Sequence, residues 1–117
     1  MAGREGRIQR LRRPVAAAQR HPGTVRRGDL LDDLATVSAD APRDATVVVF
    51  HPAVLAYVDA DHRAAFVDAA MEVTWLSNEA PGVLGWLPAS AESDGFVLIE
   101  GGRTVLAETD PHGTWVR

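Results

Sequence analysis

The chain of 117 residues contains no cysteine and no lysine, and its apolar runs are all short. Without cysteine, disulfides and thiolate metal sites are excluded, and a cytoplasmic location is the default expectation. No apolar run approaches the ~20 residues that span a bilayer, so no membrane partner is expected. The basic N-terminus is followed by no apolar stretch, which argues against a secretory signal. Four histidines are present, but no pair has HExxH or other short ligand spacing, so no metal is expected. GxSxG and GxxxxGK are absent as well, which removes two common hydrolase and nucleotide-triphosphatase signatures. All twelve basic residues are arginine, and Ala, Gly and Asp are abundant. That mixture reflects the codon usage of a GC-rich genome more than a function.

Charge is unevenly placed. Residues 1–27 hold eight arginines and one glutamate, a net +7, while residues 28–117 hold four arginines and fifteen acids, a net −11. The basic block has the sign of a nucleic-acid arm. It contains no aromatic residue to stack on bases, and the acidic body would repel phosphate, so nucleic acid is not the expected partner.

With 46% hydrophobic residues, the remainder reads as one small α/β domain. Residues 1–13 are expected as a basic, mobile or partly helical arm, and residues 14–117 as the domain. Pro14 interrupts the Ile8, Leu11, Val15 stripe and is tolerated best at a helix start, which predicts a helix over 14–20. Thr24 to Arg27 reads as a short strand. Asp29 then caps a helix whose apolar stripe is Leu30, Leu31, Leu34 and Val37. The run Val47 to Phe50 has the continuous apolarity of a strand buried on both faces in a parallel sheet. Pro52 opens a short helix through Tyr57, and Asp59 or Asp61 caps a longer one with Phe66, Val67, Ala70 and Met71 facing the core. A second strand, Val73 to Leu76, lies a crossover's length away. Residues 78–95 read as a long loop, and Gly101-Gly102 joins a hairpin of Phe96–Glu100 and Arg103–Glu108. After a turn at Asp110-Pro-His-Gly113, Trp115 and Val116 are expected to return to the core.

Polar residues gather where the two parallel strands end, the usual place for a ligand site in an α/β sheet. His51 follows the first strand, with the titration range of a general base, or is simply bonded to a nearby carbonyl. Asn78 and Glu79 follow the second. Their side chains should point in different directions, so only one need meet His51; a His–Glu pair there suits acid–base work, and the plainer alternative is a turn Asn and a solvated Glu. Asp29 is either a cap or a ligand contact. Tyr57 and His112 complete the expected pocket lining, although the turn around His112 needs only its Asp, Pro and Gly.

Four segments in order carry a resemblance: Arg27-Gly-Asp-Leu-Leu-Asp-Asp-Leu34, Val48-Val-Phe-His-Pro-Ala-Val-Leu-Ala-Tyr57, Trp75-Leu-Ser-Asn-Glu-Ala-Pro-Gly-Val83 and Asp110-Pro-His-Gly-Thr-Trp115. Together they resemble the C-terminal part of a bacterial domain-of-unknown-function family that looks like a divergent S-adenosylmethionine-dependent methyltransferase. The resemblance implies a partial Rossmann-like three-layer sandwich, with a short parallel sheet closed by an antiparallel hairpin. It implies S-adenosylmethionine as cofactor, Asp29 near the adenine, and His51 where cofactor or substrate is met; joined to the strand-end reading, His51 and Glu79 are the expected catalytic pair and Asn78 a cofactor contact. Family members carry an additional N-terminal half with the glycine-rich cofactor loop, which this sequence does not show. The isolated chain is therefore expected to be inactive, contributing one wall of a pocket, or to serve as a non-catalytic interaction module. Its expected partner is a second copy or a separately encoded N-terminal half.

Overall fold

The computed structural model describes residues 4–85 and 95–117. The first apolar run forms β1 (Val48–Pro52) and the second forms β2 (Thr74–Glu79). A 3-10 turn (Leu55–Tyr57) and a helix precede β2 in the connection. The strands are parallel, with Val48 opposite Thr74 and Pro52 opposite Asn78. β3 (Phe96–Glu100) and β4 (Thr104–Thr109) form the expected hairpin. Gly101 and Gly102 both have positive φ, 57° and 66°, and the Arg103 amide donates to the Glu100 carbonyl at 3.1 Å. That is the primed turn whose twist suits a hairpin. β3 runs antiparallel to β2, so the mixed sheet has the order β1-β2-β3-β4 and β1 is an edge.

Three α-helices accompany the sheet among the described residues: α1 (Arg4–Arg20), α2 (Leu34–Ala39) and α3 (Ala60–Ala70). Asp59 caps α3 through its side chain, accepting from the His62 amide. Strand alternation sorts the sheet's side chains into two sets. One set, including Val49, Trp75, Val97 and Ile99, packs with Phe66, Val67 and Ala70 of α3, with Leu55, and with Leu84. The other set carries Val48, Phe50, Leu76, Asn78 and Leu98 by register. Val48 and Phe50 there remain half exposed.

Several expectations are corrected. The sheet has one parallel pair and one buried face, so the third layer of the expected sandwich is absent among the described residues. β1 alternates in burial and is not enclosed on both sides. Helix α1 does not start at Pro14 but runs through it. The missing Pro14 amide leaves one carbonyl unpaired in a helix with no buried residue, where water can satisfy it. Residues 24–27 form no strand, and Val25 is fully exposed. The turn at Leu30–Asp33 delays the next helix to Leu34. Met71 is exposed. Trp115 and Val116 return to the β4 edge, not to the core, with Val116 bridging Thr109. Part of the expected 78–95 loop lies outside the described residues, while Asn78 and Glu79 belong to β2 itself.

The Gly101 position tests the turn. A Cβ added there would meet nothing within 4 Å, so Gly101→Ala probes the backbone alone. The left-handed φ makes that variant less stable by about 1 kcal/mol, read as a lower urea midpoint with unchanged m-value.

Candidate functional site

The polar end of β2 is built around a buried carboxylate. Period-two alternation puts Trp75, Ser77 and Glu79 on one face, and His51 reaches the same face from β1 opposite Ser77. Glu79 is 2% exposed and His51 5%. Glu79 Oε1 accepts from His51 Nδ1 at 2.8 Å, from the Val54 amide at 2.8 Å and from the Leu55 amide at 2.9 Å. Trp75 Nε1 donates to His51 Nε2 at 2.8 Å. Because Nε2 accepts, the proton sits on Nδ1 and the ring is neutral. Phe66 meets the imidazole edge-on, with centroids 5.4 Å apart. Burial pushes the His51 pKa below the ordinary histidine value, against the opposing pull of Glu79. Glu79 Oε2 and Ser77 Oγ are buried with no hydrogen-bond partner among the described residues.

Glu79 thereby fixes the segment leaving β1. Ala53 there has φ 54°, a left-handed conformation uncommon for a residue other than glycine. Its amide continues the ladder by donating to the Asn78 carbonyl at 3.0 Å. The next two amides would be orphaned at the start of a 3-10 turn, and Glu79 accepts both. Arg63 adds a second restraint, donating to the Val58 carbonyl at 2.9 Å and to the Val83 carbonyl at 3.0 Å.

A hollow of about 280 Å³ lies along the chain that follows this group. Tyr57, Val58 and Asp59 line it from the β1–α3 connection, His62 from the first turn of α3, and Asp29, Leu30 and Leu31 from the opposite loop. Tyr57 is 89% exposed. Asp59 Oδ2 bonds His62 Nδ1 at 2.6 Å. The Asp59 pKa is held below the usual carboxylate range, first by the His62 amide and then by the His62 ring. Asp29 Oδ1 accepts from the Leu31 amide at 2.8 Å and the Asp32 amide at 3.0 Å. Those two bonds, the Asp32 amide foremost, lower its pKa. Asp29 Oδ2 has no partner among the described residues.

The six expected residues therefore separate into four places. Asp29 and Tyr57 share the hollow. His51 and Glu79 meet, but enclosed, with both ring nitrogens engaged. The exposure that proton transfer to a ligand would require is missing, because Trp75 and Phe66 close over the ring. Asn78 points to the other sheet face, where its Oδ1 accepts from Thr109 Oγ1 at 2.8 Å. His112 is exposed in the turn organised by Asp110, whose Oδ2 accepts from the His112 and Thr114 amides, and it lines no part of the hollow. Trp75, Asp59 and His62 are additions. Trp75 was findable, since a strand places residue 75 on the face of residue 79. The Asp59-x-x-His62 spacing was visible too, although it reads first as a cap. No group of three or more His, Asp or Glu among the described residues is arranged to hold a metal ion.

The chain belongs to the DUF2332 family, described as an uncharacterized protein conserved in bacteria, whose model matches residues 2–117. No curated protein and no solved structure matches it.

Removing Glu79 should expose its role. Glu79→Ala strands three donors, each worth about 1–3 kcal/mol when buried and unsatisfied, so urea unfolding should show a loss of about 3 kcal/mol or more. Glu79→Gln keeps an acceptor and should lose less; equal losses would contradict the bond-by-bond account. For His51 the sign is fixed by its lowered folded pKa. Below the unfolded value of about 6.5 the unfolded chain binds the extra proton. Stability contributed by the neutral ring is thus full above that pH and declines as pH falls toward the folded value. An NMR titration of the His51 ring should give a midpoint below 6.5; a midpoint at or above it would overturn the neutral, enclosed assignment.

Proposed function

We propose that this member of an uncharacterized bacterial family contributes one wall of a nucleoside-type ligand pocket, with S-adenosylmethionine the ligand its methyltransferase-like resemblance suggests. The observation that carries this reading is the hollow itself. An exposed aromatic ring, a carboxylate with a free oxygen and a His–Asp pair converge beyond the carboxyl end of a parallel strand, where α/β sheets bind ligands. Tyr57 offers a planar face for a base. Asp29 Oδ2 accepts from an exocyclic amine or a ribose hydroxyl. Asp59 holds His62 Nδ1 and leaves Nε2 toward solvent as a second polar contact.

The nucleoside end of the cofactor fits these residues. Its methionine end has no glycine-rich seat among the described residues, and the hollow is just under the ~300 Å³ lower limit of small-molecule sites. The chain accordingly binds and orients, and the resident chemistry of such a cofactor, methyl donation, needs groups beyond those assembled here. His51 and Glu79 enter this reading as positioning residues that set the Tyr57–Asp59 segment.

Titration of the labelled chain with S-adenosylhomocysteine, followed by amide shifts, tests the assignment. Shifts should concentrate at Asp29–Leu31 and Tyr57–His62. Tyr57→Ala should weaken binding at least ~5-fold, the lower end of the ~1–3 kcal/mol of one aromatic–base stack, without changing the unfolding midpoint. Absence of shifts at millimolar ligand, or shifts confined elsewhere, would remove the nucleoside reading.

A further inference from the structure

Two apolar surfaces of this chain have no cover among the described residues. The first is the sheet face carrying Val48, Phe50, Leu76 and Leu98, with Val48 50% and Phe50 55% exposed. A one-sided sheet normally turns polar residues to water; this one turns apolar residues, and the unpaired β1 edge runs beside them. The second surface is the seam of α1. Ile8, Leu11 and Val15 recur at three- and four-residue spacing and are 48%, 61% and 51% exposed, and the helix buries nothing. An exposed helix of this length is marginal in water without an apolar face to rest on.

Charge decides which surface meets which. Helix α1 carries Arg4, Arg7, Arg10, Arg12, Arg13 and Arg20 against the single acid Glu5. Two such helices side by side would repel along the seam. The remainder of the chain is acidic, net −11 over residues 28–117, so a basic helix is attracted to a body and not to its twin. The helix also stands off its own body. The Cα radius of gyration is 16.1 Å, against about 13 Å for a compact chain of this length. Each copy thus presents a basic apolar helix and an acidic body with a bare apolar face, and satisfies neither with itself.

We propose that two copies of this chain exchange their α1 helices, each laying Ile8, Leu11 and Val15 on the Val48–Phe50–Leu76 face of the other. The exchange is self-complementary and closes with twofold symmetry. It is independent of the ligand hollow, which lies on the α3 side of the sheet.

The absence of native cysteine makes disulfide trapping a clean test. Leu11→Cys chains mixed with Phe50→Cys or Val48→Cys chains should yield a crosslinked heterodimer under mild oxidation. Sedimentation of the unmodified chain should show a dimer that dissociates as salt rises. The triple variant Ile8→Asp, Leu11→Asp, Val15→Asp alters exposed positions only, and should be monomeric with the sheet's thermal transition retained. Three results would overturn the proposal. One is a monomer at high concentration that traps no heterodimer. A second is a Leu11→Cys/Phe50→Cys chain that closes its disulfide internally as a monomer, which would assign the face to its own helix. The third is a dimer that survives the triple aspartate substitution.

Discussion

A single carboxylate oxygen organises the carboxyl end of the sheet. Glu79 Oε1 takes hydrogen bonds from one side chain and two backbone amides that all belong to the neighbouring strand or the turn after it. Burying an acid is unfavourable unless its hydrogen bonds are made. Here the donors are groups that would themselves be orphaned, so acid and turn need one another. The left-handed Ala53 is held between the Asn78 carbonyl and this acceptor. Everything beyond it, the Leu55–Tyr57 turn and the Asp59 cap of α3, takes its place from that anchor. The hollow exists because a β2 side chain dictates a β1 backbone.

Much of this was legible in the residues, for local reasons. Gly101-Gly102 specifies its turn by chirality, Asp59 its cap by spacing, and Asp110 its turn by side-chain bonds. Strand alternation foretold that only one of Asn78 and Glu79 could meet His51, and Glu79 does. What sequence reading missed is governed by neighbours. An apolar strand looks the same whether one face is covered or two, so Val48 and Phe50 read as enclosed. Pro14 reads as a helix start because the rule assumes that a lost hydrogen bond matters, which is less true where water replaces it. The polarity of Asn78-Glu79 reads as the start of a loop, yet β3 pairs with those residues and extends the strand. His51 reads as reactive because its type is, whereas Trp75 and Phe66 decide its environment.

The segments that carried the family resemblance coincide with structural devices. Arg27–Leu34 contains the Asp29 turn, Val48–Tyr57 the β1 exit, Trp75–Val83 the Glu79 anchor, and Asp110–Trp115 the closing turn. The family match itself spans residues 2–117, and the segments behind the resemblance lie within it as residues that largely shape backbone.

Arg63 has a mechanical consequence. Its guanidinium spans the Val58 and Val83 carbonyls from a fixed point on α3, so the loop after β1 and the loop after β2 are strapped to one strut. The two loops, far apart in the chain, thus take their spacing from one planar group on α3.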